Sequence, residues 1–214
     1  MKRSKGLLIV FEGIDGAGKT TLLTHVADIL YQAGFKVVQT RQPGGTPLGE
    51  RIRSILHDSP DRPCPLSEFL LFAADRAQHL EEIVRPALEM GKIVLSDRFA
   101  DSSAAYQGAG RGVSSDFIGL VNDEATGGIH PDLTIYVRLD PKIAAQRLVG
   151  RPEKQTAIER EPLEFFTRIA SWFDTHYGDR DDVLMLDAQD SPSELGRTAA
   201  ARISTLLQEK GVVQ

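Results

Sequence analysis

Residues 13–20 read Gly-Ile-Asp-Gly-Ala-Gly-Lys-Thr, between an apolar run, Leu7–Phe11, and a stretch of helical periodicity from Thr20 to Ala33. A strand, a glycine-rich loop and a helix in that order supply the context in which the P-loop pattern carries meaning. Its glycines let main-chain N–H groups converge on phosphate oxygens with no Cβ in the way, and the helix amino terminus adds partial positive charge. The expected ATP contacts are therefore Gly13, Ile14, Asp15, Gly16, Ala17 and Gly18, followed by Lys19, Thr20 and Thr21 on the helix. Lys19 is expected to hold the β and γ phosphates as a point charge, and the Thr20 hydroxyl to ligate magnesium.

Four more apolar, β-rich runs follow at Val37–Thr40, Ile93–Ser96, Leu133–Val137 and Val183–Leu186, none with polar alternation. Runs of that kind suit parallel strands buried on both faces. Helical spacing is read at Pro65–Met90, Ser114–Ala125, Pro141–Leu148, Leu163–Tyr177 and Pro192–Lys210, several opened by Ser, Asp or Pro. Strands alternating with helices imply right-handed crossovers and an α/β architecture of three layers. At 214 residues the chain suits one such domain over 1–214. Two stretches break the pattern, Gly108–Gly112 and Gly150–Pro162, and both read as mobile surface loops, the second as a lid.

A formal charge of -5 argues against a general nucleic-acid surface. No apolar stretch has the length of a membrane span or a signal peptide, so the expected location is the cytoplasm, with no membrane partner. The lone cysteine, Cys64, is read as a small buried or half-buried residue, and the histidines, lacking metal-ligand spacing, as incidental. Asp97 ends the Ile93–Ser96 run, at the strand end where a second magnesium-side carboxylate belongs, and Arg98 follows it directly. A phosphate cradle alone serves a GTPase, a motor, a sensor or a kinase, and no Asn-Lys-x-Asp guanine motif is present.

Beyond the P-loop the chain carries, in order, Thr40-Arg41-Gln42-Pro43-Gly44-Gly45-Thr46, Leu71-Phe72-Ala73-Ala74-Asp75-Arg76, Asp97-Arg98-Phe99, Ser102-Ser103-Ala104-Ala105-Tyr106-Gln107-Gly108 and Pro131-Asp132-Leu133-Thr134-Ile135-Tyr136. On these pieces the sequence resembles the thymidylate kinase family along nearly its whole length. The resemblance implies a P-loop NTPase fold with a five-stranded parallel sheet, flanking helices and a short lid. It implies γ-phosphoryl transfer from ATP to dTMP with magnesium, and a homodimer. A kinase for another pyrimidine monophosphate and a non-catalytic nucleotide sensor are the alternatives.

Carried onto this sequence, the resemblance assigns Arg41, Arg53 and Arg98 to the acceptor phosphate, a use that suits bidentate guanidinium groups. It assigns Phe72 to stacking on thymine and Arg76, four residues on and so on the same helical face, to a base carbonyl. Ser103 and Gln107 resemble the family's polar contacts to base and phosphate, Tyr106 the ring against the sugar, and Asp15 the contact to the 3′-hydroxyl. The chain departs from the family at Gln42, where many members carry Glu, and in the lid, where Thr156-Ala157-Ile158-Glu159 lacks the usual Asp-Arg. The P-loop supplies no arginine either, so the catalytic positive charge beyond Lys19 and Arg98 is assigned to Arg151 or Arg160, with Arg147 and Lys154 nearby.

Overall fold

The computed structural model describes residues 6–58, 61–152 and 155–211. The expected strands form one parallel sheet: β1 (Leu7–Glu12), β2 (Val37–Arg41), β3 (Ile93–Asp97), β4 (Leu133–Arg138) and β5 (Val183–Asp187), in the order β2-β3-β1-β4-β5. Parallel pairing aligns Phe11 with Asp97 and Asp97 with Arg41. The carboxyl ends of β1, β2 and β3 thus share one edge, where open α/β sheets place their ligands.

The central strands β1, β3 and β4 are buried on both faces, which explains their unalternating runs, whereas the edge strands β2 and β5, expected to be buried in the same way, are mostly half-buried or exposed. Along β1, Leu8 and Val10 join Val94 and the helical residues Leu80, Val84 and Leu88 on one side. Leu7, Ile9 and Phe11 belong to a larger cluster with Leu23, Val26, Phe173 and Ile203. Full burial of side chains this size contributes roughly 1.5 to 3 kcal/mol each, so the sheet core sets the frame on which the loops are hung.

The helices are α1 (Lys19–Gln32), α2 (Pro47–Asp58), α3 (Pro65–His79), α4 (Arg85–Glu89), α5 (Ala100–Ser103), α6 (Ser115–Thr126), α7 (Pro141–Val149), α8 (Leu163–Tyr177) and α9 (Pro192–Glu209). Their ends follow capping chemistry: Asp140 accepts from Lys142 N at 2.7 Å ahead of Pro141, and Ser191 accepts from Glu194 N at 3.3 Å ahead of Pro192. Gly127, at φ 54°, closes α6 in the left-handed conformation.

Four further expectations need correction. The helix expected over Pro65–Met90 is divided by a π-helical turn at Leu80–Val84; Pro86 cannot donate to the carbonyl of Glu82 and crowds it, and the wider turn absorbs the misfit. Gly108–Gly112 is no open loop through Gly110, because a π-helical segment, Ala104–Gly110, runs through it and packs Gly110 so closely on Phe165 that a Cβ there would lie 2.6 Å from the ring. Helix α2 was not foreseen, since Gly44, Gly45 and Gly49 crowd its start and only Ile52 and Leu56 supply a buried stripe. Cys64 is exposed, occupying the amino-terminal cap of α3 beside Ser67.

No helix among the described residues is long and apolar enough to cross a membrane. Glu153 and Lys154, within the lid stretch, lie outside the described residues, as do 1–5, 59–60 and 212–214.

Candidate active site

The P-loop leaves β1 through Gly13, whose φ of 139° no L-residue adopts easily; a Cβ there would meet the Val137 carbonyl oxygen at 2.5 Å. Gly18 caps α1 at φ 93° with nothing within 4 Å of its virtual Cβ, so the loop keeps open space where anions approach the helix terminus. Lys19 is buried, and its Nζ donates to the Ile14 carbonyl at 2.9 Å. Burial, seconded by Arg98, pushes its pKa down to about 8 against the pull of Asp97 and Asp15, so the ammonium is still charged near neutral pH. Ile14 and Ala17 turn into the core.

Next to the cradle the Thr20 hydroxyl donates to the Asp97 carboxylate at the end of β3. Both side chains line a cavity of about 900 Å³, near the upper size of small-molecule sites and continuous from the P-loop to α3 and the π-helical segment. Among the described residues no three His, Cys, Asp or Glu side chains cluster as a metal cage. An oxygen pair of Thr and Asp fits magnesium, which takes most of its ligands from water and substrate phosphates.

Arg98 is the one described non-glycine residue with positive φ, at 74°, a strained conformation that surrounding bonds must hold. They do: its Nη1 donates to the Gly13 carbonyl at 3.1 Å and Ser102 Oγ at 3.0 Å, and its Nη2 to Asp15 Oδ1 at 2.5 Å and the Tyr106 hydroxyl at 3.0 Å. The Tyr106 hydroxyl in turn donates to Asp15 Oδ2 at 2.9 Å. Burial works against the Asp15 carboxylate, but Arg98 and Lys19 outweigh it and hold its pKa at about 2. One P-loop side chain is thereby tied to the β3 end and to the π-helical segment.

Beside this trio lies Glu12, the residue directly after the apolar run Leu7–Phe11. It is fully buried and accepts from Phe99 N at 2.8 Å and from Ser102 Oγ at 2.6 Å. Burial raises its pKa to about 7, against Arg98 and Ser102. A charged residue closing a wholly buried strand, one position before the P-loop, was the available signal.

The residues that the resemblance assigns to the acceptor line the same cavity: Arg41, Arg53, Phe72, Arg76, Ser103 and Gln107. Arg41 pairs with Glu50 at 3.0 Å, and Arg53 donates to the Pro43 carbonyl at 3.0 Å. Arg76, 2% exposed, is held from four sides, donating to Gln42 Oε1, Asn122 Oδ1, the Phe99 carbonyl and Ser103 Oγ at 2.6 to 3.2 Å. Gln42 reaches His79 Nδ1 through Nε2 at 2.9 Å, and His79 Nε2 bonds Thr40 Oγ1. His79 is therefore a buried network member rather than incidental; burial and the nearby Arg76 push its pKa down to about 4. Its place inside a long helix hid this from the sequence.

The two lid arginines part company. Arg151 lines the cavity and pairs with Glu159, while Arg160 is exposed and away from the lining. Thr156 and Glu159 brace the turn reciprocally, each side chain accepting from the other's main-chain N–H.

A family model described as thymidylate kinase matches residues 11–198. A protein named thymidylate kinase from Deinococcus radiodurans is 45% identical over 204 residues, covering 94% of this chain and 98% of its own. One of the same name from Halothermothrix orenii is 45% identical over 195 residues, covering 90% and 94%. With such matches spanning the P-loop, the β3 end and the lid, the chain belongs to the thymidylate kinase family.

Proposed function

We propose that the protein transfers the γ-phosphoryl group of ATP to dTMP, giving ADP and dTDP on the route to dTTP. The observation that carries this reading is one continuous cavity lined by the P-loop with Lys19 and, beside it, by the guanidinium side chains of Arg98, Arg41 and Arg53. The names of its relatives supply the acceptor.

The attacking atom is an oxygen of the dTMP phosphate, already ionised at neutral pH, so no side chain has to remove a proton. The oxygen–phosphorus bond forms as the bond from the γ phosphorus to the bridging oxygen breaks and ADP leaves. Positioning and charge stabilisation then suffice, and no covalent enzyme intermediate is needed. Lys19 holds the donor phosphates, Arg98 the incoming phosphate, and Arg151 approaches from the lid. Asp15, held as a carboxylate, accepts only, which suits a sugar hydroxyl. Phe72 and Arg76 hold the base, with Ser103, Tyr106 and Gln107 around it. Thr20 and Asp97 would hold magnesium, which when bound offsets negative charge on the β and γ phosphates.

The cytoplasm is the expected place of this reaction. A homodimer goes with this reading, and the exposed apolar residues Leu66 and Leu70 of α3 with Phe117 and Leu120 of α6 support it; light scattering that finds only monomer at micromolar concentration would reject the dimer.

The test is product analysis. ATP and dTMP incubated with the protein and magnesium are expected to yield ADP and dTDP in equal amounts, and EDTA to stop the conversion. ADP without dTDP would overturn the assignment.

A further inference from the structure

Gln107 lines the cavity, and its Nε2 donates to Glu68 Oε1 at 2.9 Å. Glu68 is itself buried, in the first turn of α3. A carboxylate only accepts, so this bond decides which way the Gln107 amide lies. The nitrogen faces Glu68, and the carbonyl is the end turned away from it. Glu68 is clamped in its turn: Arg111 Nε donates to its Oε1 at 3.2 Å and Arg111 Nη2 to its Oε2 at 3.3 Å.

Arg111 cannot swing aside easily. Its Nη1 donates to Glu161 Oε1 at 2.9 Å, and its guanidinium lies 4.7 Å from the centre of the Phe165 ring. Arg62 braces Glu161 from the other side at 3.0 Å and also donates to the Ala157 carbonyl of the lid. The chain of contacts runs from the lid through Glu161, Arg111 and Glu68 to Gln107.

We propose that Glu68 and Arg111 are positioning residues that lock the Gln107 amide with its oxygen available to the acceptor base, so that the pocket favours a ring nitrogen that donates over one that accepts. Thymine and uracil carry such an N–H; cytosine presents a lone pair at the same ring position. A fixed acceptor facing that lone pair leaves two acceptors opposed and unpaired, whereas a free amide would turn and accommodate either base. The inference rests on the reading of the cavity as a pyrimidine monophosphate site with Gln107 beside the base.

The experiment compares kcat/KM for dTMP and dCMP in the parent, Glu68→Gln, Arg111→Met, Arg111→Lys and Gln107→Leu. The ratio of the two acceptors within one preparation does not depend on the fraction folded, so a less stable variant still gives an answer. Glu68→Gln lets the Gln107 amide turn, and the dTMP-to-dCMP ratio is expected to fall about tenfold or more, with KM for ATP unchanged. Arg111→Met is expected to lower the ratio less, and Arg111→Lys to restore part of it. An unchanged ratio in Glu68→Gln, alongside a lowered ratio in Gln107→Leu, would overturn the positioning role while leaving the site assignment standing. An unchanged dTMP KM and ratio in Gln107→Leu would overturn the site assignment and the proposal with it.

Discussion

Arg98 Nη2 and Asp15 Oδ1 stand 2.5 Å apart, joining the strained residue after β3 to the centre of the P-loop. This pair places a fixed cation beside the phosphate cradle and a fixed acceptor beside it. Asp15→Asn keeps the shape and removes the charge, so kcat/KM for dTMP is expected to fall about 10- to 100-fold, with KM for ATP nearly unchanged. Because the folded pKa of about 2 lies below the ordinary 3.8, the pair stabilises the fold at all pH above 3.8. That contribution, roughly 2 kcal/mol, is lost as pH falls from 3.8 to 2. Urea titrations of parent and Asp15→Asn across that range check the sign.

Arg76 is bound from four sides by protein groups, so its removal has two costs. In Arg76→Ala, Gln42, Asn122 and Ser103 lose a buried partner, and stability is expected to drop on the order of 3 kcal/mol. Among molecules that remain folded, KM for dTMP is expected to rise much more than KM for ATP. Initial rates below the unfolding midpoint measure both; an equal rise for the two substrates would leave Arg76 with a structural role alone.

The lid arginines separate by position, Arg151 on the cavity wall and Arg160 outside it. Arg151→Ala is expected to lower kcat at saturating substrates about 10- to 100-fold with little change in dTMP affinity. Arg160→Ala is expected to turn over like the parent. Reversed results would move the transition-state charge to Arg160.

His79 takes up its proton at about pH 4 in the fold and at 6.5 in the unfolded chain. Between those values only the unfolded chain is protonated, so stability falls as pH drops from 6.5 to 4. Glu12 acts in the opposite direction, since its folded pKa of about 7 exceeds the ordinary 4.5. The His79 share is therefore isolated by comparison with His79→Gln: from pH 7 to 5 the parent is expected to lose about 2 kcal/mol relative to the variant. Urea midpoints at the two pH values decide it, and parallel pH dependence would refute the assignment.

The sheet and the cradle were legible because each rests on a local signal. Leu7–Phe11 and Ile93–Ser96 are buried on both faces and so lack alternation, and Gly13 and Gly18 announce backbone conformations that other residues resist. Glu12, His79 and Glu68 were not legible as functional groups. Each looks like an ordinary charged or polar residue in its own segment, and only the meeting of β1 with the start of α5, of α3 with β2, and of α3 with the π-helical segment gives it partners far along the chain. Helix α2 hid behind its glycines, and the π turns leave no distinctive spacing. The resemblance to a family named the acceptor-side residues, and the fold then explained their company: Arg41 with Glu50, Arg76 with Gln42, Tyr106 with Asp15.

The most direct test of the central claim is the rate of ADP release from magnesium ATP with dTMP, dUMP, UMP, dCMP, AMP and GMP offered separately at matched concentrations. The cavity described by Asp15, Phe72, Arg76 and Gln107 predicts the highest kcat/KM with dTMP and negligible turnover of AMP and GMP. A purine monophosphate preferred over dTMP, or no ADP release with any acceptor, would contradict it.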